Sequence, residues 1–262
     1  MEQVSCPTSG RLPAYLDIRY GPRALLGRFF LAADAAARER GVSLHFASFD
    51  DLLAANADNH SSWRPLTPLF TPRLSGVSEH TGFAILGRNA VGEIVAAQAA
   101  RVFDWPNTTL RAEAESLRMF YADPEAARTA GNHCEVTAAS AQTISGRVVF
   151  SGAGWYRPDF RGKGLAGILP RISRLLAFAF WNTEFTTAMM ADGVVAGGFA
   201  ARTGYTKIAH DSVTFELSPV GAFRGAFLWM DTSELLSDAE VALGNLAGAS
   251  DAGIAAQGVI AG

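Results

Sequence analysis

The sequence predicts an α/β or α+β fold in which helices pack on one sheet. A hairpin pattern at residues 83–103 and two strand-then-helix units after residue 147 carry that prediction. The 262 residues are enough for one large domain with a substantial core.

The elements follow in order. Residues 1–20 read as a leader ending in a strand at 15–20. Gly21-Pro22 opens a helix, because proline suits a first turn, and Leu25, Leu26, Phe29, Phe30, Ala33 and Ala37 recur at helical spacing before Gly41 closes the pattern. A strand at 42–47 precedes Ser48, an N-cap for a helix beginning at Phe49. Pro65, Pro68 and Pro72 make residues 61–75 an irregular loop. Strands at 83–87 and 93–103 pair across a turn at 88–90. A helix at 111–121 and a loop through 141 follow, longer than an ordinary connection and therefore suited to cover a binding site.

A strand at 147–156 leads through a glycine loop into a helix. Its apolar face is Leu165, Ile168, Leu169, Ile172, Leu175, Leu176 and Ala179. Strands at 185–190 and 206–217 flank a small-residue helix at 194–202. A last strand at 227–230 and a helix at 233–243 complete a single domain, 1–244, with its core at about 80–217. The Ala- and Gly-rich residues 245–262 read as a mobile tail. The apolar patch at 223–230 reads as an edge strand through which two copies would pair as a homodimer.

Composition excludes several classes. A net charge of −3, 49% hydrophobic and 18% charged residues suit a globular enzyme and argue against a general nucleic-acid or membrane-surface binder. Cys6 and Cys134 match no metal-ligand spacing and read as free thiols of a reducing compartment. His45, His60, His80 and His210 are dispersed and show no metal-site spacing either. The first residues lack the basic start and apolar run of a signal peptide, and no apolar run approaches the ~20 residues that span a bilayer. The expected location is cytoplasmic.

The chemistry concentrates in Trp155-Tyr156-Arg157-Pro158-Asp159-Phe160-Arg161-Gly162-Lys163-Gly164-Leu165-Ala166, between a strand and a helix. Helix starts expose N–H groups without intrahelical partners, and the macrodipole adds positive charge there, so such a terminus binds phosphate. Gly162 and Gly164 let the backbone approach an anion closely. Arg157, Arg161, Lys163, Arg171 and Arg174 face one acid, Asp159, between residues 157 and 174, a cluster that favours a polyanion. The Gly-Lys pair lacks the Ser/Thr of a Walker A loop, and the glycine spacing departs from the dinucleotide fingerprint. A plain turn before a helix is the alternative reading of the same residues.

Arg161, Gly164 and Ala166 match the Arg/Gln-x-x-Gly-x-Gly/Ala signature, and Ala200-Ala201-Arg202-Thr203-Gly204-Tyr205 resembles a helix ending in Gly-Phe or Gly-Tyr before a long strand. Together with the 83–103 hairpin, these features resemble the GNAT (GCN5-related) N-acetyltransferase superfamily over residues 80–217. The resemblance implies a mixed, mostly antiparallel central sheet flanked by helices and splayed around a CoA cleft. It implies an N-acyltransferase that moves an acetyl or similar group from acyl-CoA to a small-molecule amine by direct transfer. Arg161, Gly162, Lys163, Gly164, Leu165 and Ala166 would hold the pyrophosphate. Trp155 and Tyr156 would pair with the pantetheine arm through their main chain.

The sequence departs from the family's pattern at the catalytic positions. Ala200 stands where many members carry a tyrosine acid, Gly193 where an asparagine contacts the cofactor, and the 147–156 strand has no carboxylate. Pro170 interrupts the helix after the loop and should kink or delay it. Glu135 and Tyr156 are the candidate catalytic substitutes, with Asp192 at a strand end beside them. Each has a plainer reading: exposed loop carboxylate, packing aromatic and helix cap. A CoA-binding sensor that has lost catalysis is the alternative to an enzyme, and a nucleotide binder of another fold is a third reading.

Overall fold

The structure, a computed structural model, describes residues 4–258, with side chains described through residue 246. Helix α1 (Arg23–Glu39) follows a leader that forms one 3-10 turn, Leu12–Tyr15. The expected strand at 15–20 does not form. The N–H groups of Arg19 and Tyr20 instead both donate to Ala179 O, at 3.1 Å, which takes up the bonds a strand would need. Strand β1 (Ser43–Ala47) leads to α2 (Phe49–Asp58), whose start is set as expected. Ser48 Oγ accepts from Asp51 N at 3.0 Å while Asp51 Oδ2 accepts from Ser48 N at 3.2 Å, a reciprocal capping box.

The proline-rich stretch is irregular apart from short turns, one of them α3 (Pro72–Ser75). The hairpin is present as β2 (Gly82–Arg88) and β3 (Ile94–Trp105). The segment read as a helix at 111–121 and a long loop differs. It holds the short helices α4 (Leu110–Glu115) and α5 (Pro124–Thr129), then strand β4 (His133–Val136). Leu117 adopts a left-handed φ of 67°, which stops α4 two residues earlier.

Strand β5 (Gly146–Tyr156) runs into the glycine loop, and α6 (Leu169–Trp181) follows. A 3-10 turn at Leu165–Gly167 comes first, so Pro170 occupies the first turn of α6 and delays the helix without kinking it. Next come β6 (Phe185–Ala191), α7 (Asp192–Ala196) and α8 (Phe199–Arg202). The chain closes with β7 (Lys207–Leu217), β8 (Gly221–Asp231) and α9 (Thr232–Gly258). Helix α9 continues through most of the stretch read as a tail, and residues 259–262 lie outside the described residues.

One eight-stranded sheet has the order β1-β2-β3-β5-β6-β8-β7-β4. Every neighbouring pair is antiparallel except β5–β6, giving the mixed, mostly antiparallel sheet expected. Strand β8 lies between β6 and β7, which corrects the reading of 223–230 as an edge: both of its backbone sides are already paired. Each face of the sheet has its own core. Phe29, Phe30, Leu176 and Phe180 pack on the face covered by α1, α6 and α9. Leu52, Phe70, Leu110, Phe120 and Trp155 pack on the other, beneath α2 to α5. Burial on both faces explains why β2 and β3 read as continuous apolar runs without alternation. Among the described residues, no helix is long and apolar enough to cross a membrane.

Candidate functional site

The parallel pair defines the site. Strands β5 and β6 pair only from Val148–Phe185 to Phe150–Thr187, although β5 continues to Tyr156 and β6 to Ala191. Beyond Phe150 the two strands splay, and the main-chain groups of β5 that face β6 have no strand partner. The opposite side of β5 stays paired with β3 to Tyr156–Ala96, so the opening is one-sided.

A bulge shapes the open arm. Ala97 pairs with Trp155 and Ala99 with Gly152, leaving Gln98 opposite both Ala153 and Gly154. Ala153 takes a φ of 54° there. The extra residue shifts the alternation of side chains by one. Val149 faces the α6 side before the bulge, whereas after it Trp155 faces the opposite core and Tyr156 faces α6. Beside the bulge a buried polar chain crosses from β3 to α6. Gln98 Nε2 donates to Ser151 Oγ at 3.1 Å, and Ser151 Oγ lies 3.3 Å from Ser173 Oγ.

The glycine loop closes the open end. Gly162 and Gly164 have φ of 78° and 79°, a left-handed backbone that L side chains adopt only with strain. Pro158–Phe160 and Leu165–Gly167 form 3-10 turns on either side. The N–H groups of residues 162–166 donate to no acceptor among the described residues, and residues 161–164 are exposed. Five successive N–H groups without a protein acceptor, beside a helix N-terminus, are a donor set of the kind that can hold an anion.

The basic cluster divides. Arg157 is held by Asp159 (Nε–Oδ1, 2.7 Å) and Glu93 (Nη1–Oε2, 2.8 Å), and its guanidinium keeps both carboxyls below their ordinary pKa. Arg171 forks onto Asp238 with two bonds of 2.9 Å. Arg174 is fully buried against Asp238 at 3.4 Å and over the Tyr205 ring at 4.5 Å. These three therefore hold the scaffold, which corrects the reading of all five as facing a polyanion. Arg161 spans the loop: Nε donates to Tyr156 O at 3.1 Å and Nη2 to Ser62 O at 3.3 Å. Lys163 Nζ sits 3.8 Å above the Phe160 ring at the loop's tip. A sixth cation, which loop spacing gave no signal for, is Arg40 at the end of α1. Its Nε would lie 3.2 Å from a Cβ placed on Gly164.

Leu165 is buried beneath the loop, and Ala166 is half-buried. Tyr156 turns its hydroxyl to Leu165 O at 3.4 Å. Burial pushes its phenol above the ordinary tyrosine range, with Arg174 partly offsetting that shift. Trp155 stacks on Trp63 and donates from Nε1 to Ser62 Oγ at 3.2 Å. Ala200 is buried in α8, where it offers no proton, while Phe199 beside it lies 6.4 Å from the Tyr156 ring.

Glu135 is placed elsewhere. It lies on edge strand β4 opposite Thr214, with β7, β8 and β6 between it and β5. Four strand spacings separate it from β5 by about 19 Å. The segment that carries it pairs with β7 and does not fold over the splay. Asp192 is better placed, beginning α7 where β6 ends on the open arm. Among the described residues, no group of three or more His, Cys, Asp or Glu side chains is placed to hold a metal ion. Cys6 and Cys134 are buried apart as free thiols, and burial raises both to about 12.

No family model matches the chain. Nor does any curated protein match it. Among solved structures, mutant forms of the spermidine/spermine N-acetyltransferase SpeG from Vibrio cholerae align at 11% identity over 75% of this chain and 97% of that one, with a TM-score of 0.44. The spermidine N-acetyltransferase from Vibrio cholerae in complex with CoA and spermine aligns at 12% identity over 75% and 98%, with a TM-score of 0.42. RimJ from Mycobacterium smegmatis in complex with CoA-disulfide aligns at 12% identity over 77% and 90%, with a TM-score of 0.41.

Proposed function

We propose that the cleft between β5 and β6 binds acetyl-CoA or another acyl-CoA and passes its acyl group to the amine of a small molecule. One observation carries the reading: the unpartnered N–H groups of residues 162–166 lie at the open end of a parallel strand pair that comes apart after Phe150 and Thr187. That combination suits a ligand with a pyrophosphate at one end and an amide-bearing arm behind it. The loop motif's resemblance to the GNAT acyltransferases agrees with it.

The residues divide the work as follows. The 162–166 amides and Lys163 would hold the pyrophosphate, with Arg40 beside them and Arg161 holding the loop to β5. The unpaired edge of β5, through Trp155 and Tyr156, would hydrogen-bond the amides of the arm. When bound, the thioester supplies an activated acyl carbonyl. A β5 N–H in the splay would stabilise the oxyanion that forms as a neutral amine attacks. Tyr156, protonated at neutral pH as any tyrosine is, is the donor for the departing thiolate. Asp192 serves as the proton acceptor, a role that the position of Glu135 favours less.

Isothermal titration with acetyl-CoA tests the binding half, and the reading fails if no heat develops at millimolar ligand. Thiol release monitored across a panel of small amines tests the transfer half. Binding with no release above background hydrolysis would favour a non-catalytic sensor instead.

A further inference from the structure

A second cleft, with a volume of about 700 Å³, opens at the other end of the sheet. Phe103 near the end of β3 and Arg147 at the start of β5 form its floor; Phe180 and Trp181, the end of α6, form one wall. The leader forms the other wall and is pinned along its length. Cys6 N donates to Glu79 O at 2.8 Å, Phe46 N to Gly10 O at 2.9 Å, and Arg19 N and Tyr20 N to Ala179 O at 3.1 Å. A smaller cavity of about 310 Å³ continues along the leader and shares Val4, Asp17, Arg19 and Phe180 with the first. The main cleft is of the size that takes small molecules, roughly 300–1,000 Å³.

Helix α6 separates this cleft from the glycine loop. Its 13 residues span about 20 Å. The paired stretch of β5 and β6, Val148–Phe150 with Phe185–Thr187, closes the splay between them. A ligand in the second cleft would therefore leave the loop free.

Charge and shape narrow the ligand. Arg19 is bonded to Asp17 at 2.5 Å, and Asp104 stands opposite Arg147 in the β3–β5 register, so these four balance. Arg23 is left over: its Nε donates to Ile18 O at 3.2 Å, and no carboxylate pairs with it among the described residues. His80, on the rim, is shared between Val4 O at 3.3 Å and Glu79 at 3.7 Å. Among the side chains that line the cleft this leaves one surplus positive charge, Glu79 standing behind His80 and outside the lining, and a single positive charge suits a monoanion better than a phosphate ester. The rest of the lining is largely aromatic, with Tyr20, Phe103, Phe180 and Trp181. Trp181 also keeps a buried indole N–H that has no acceptor among the described residues. The geometry points to a second small-molecule site here, for an organic monocarboxylate with a flat or aromatic body.

Phenylacetate is the probe, with benzylamine and inorganic phosphate as comparators, titrated into the full chain by calorimetry and tryptophan fluorescence. Saturable binding of phenylacetate is expected, with benzylamine and phosphate each at least about tenfold weaker. Arg23→Glu, at an exposed position, should weaken phenylacetate by about tenfold or more and leave acetyl-CoA binding unchanged. Tyr20→Ala should weaken it through the lost aromatic wall. The inference is overturned if phenylacetate does not saturate, if benzylamine or phosphate binds as well, if neither variant changes the affinity, or if acetyl-CoA competes it away.

Discussion

Trp63 lies flat on Trp155, with ring centroids 4.8 Å apart and planes 5° from parallel. The contact ties the segment after α2 to the open arm of β5. Ser62 reinforces it by accepting from Trp155 Nε1 and, through its carbonyl, from Arg161. Arg64 then reaches Ala222 O on β8 at 3.3 Å. One short segment therefore bridges strands on both sides of the splay and touches the glycine loop between them.

Trp63→Ala should cost about 3 kcal/mol, because a buried indole and its stacking contact with Trp155 are lost together. For a chain of this length that lowers Tm by roughly 6–12 °C. Trp63→Phe should recover most of the stability. A thermal scan in which Trp63→Ala matches the parent would show that the stack holds nothing in place.

Gly162 and Gly164 should respond differently to the same change. Both have positive φ, so alanine costs about 1–2 kcal/mol of backbone strain at either. Only at Gly164 does the new methyl also meet Arg40, 3.2 Å from its Nε, whereas at Gly162 nothing lies within 4 Å. Gly164→Ala should therefore weaken acetyl-CoA binding at least about tenfold, a 1.4 kcal/mol loss, and by more than Gly162→Ala. Equal affinities of the two variants in calorimetry would count against Arg40 as part of the cradle.

What the sequence made legible was local. Ser48 directly precedes the helix it caps, and the strand–glycine loop–helix unit lies within one short stretch, so neighbouring residues located both. The misread parts depend on distant partners. A run such as Phe227-Leu228-Trp229-Met230 suits an edge strand or a central one, and only pairing with residues 185–191 and 207–217 decides between them. Arg171 and Arg174 looked like loop cations because their partner, Asp238, lies more than sixty residues downstream. Arg40 approaches the loop from a helix that shares no motif with it. The end of α4 carries no glycine or proline, since the left-handed residue there is a leucine.

Asp238 should prove structural. Among the described residues it is the only carboxylate bonded to the fully buried Arg174, whose Nε and Nη1 have no partner there. Asp238→Asn leaves that cation with Thr203 O and the Tyr205 ring, and should cost about 3–5 kcal/mol. Adding Arg174→Met should restore part of the loss, because the fully buried charge is then gone; the part not restored is the fork that Arg171 also loses on Asp238. Chemical denaturation of the single and double variants measures both. A double variant less stable than Asp238→Asn alone would refute this account.

Three of the five tyrosines, Tyr121, Tyr156 and Tyr205, have phenols raised above their ordinary range, in each case first by burial. In the unfolded chain they ionise near pH 10, as free tyrosines do. Above that pH the unfolded chain has released protons that the native state still holds. Their contribution to stability is therefore complete below about pH 10 and lost as pH rises through the native values. Absorbance at 295 nm should show these three ionising only together with alkaline unfolding. For Tyr156 the proposed proton transfer does not depend on that shift, since a tyrosine is protonated throughout the neutral range in any case and can give its proton to a leaving thiolate. Tyr156→Phe should lower kcat by about 100-fold while acetyl-CoA affinity stays within about threefold. A variant that keeps kcat and loses only stability would make Tyr156 a packing residue and leave the donor to be sought elsewhere in the splay.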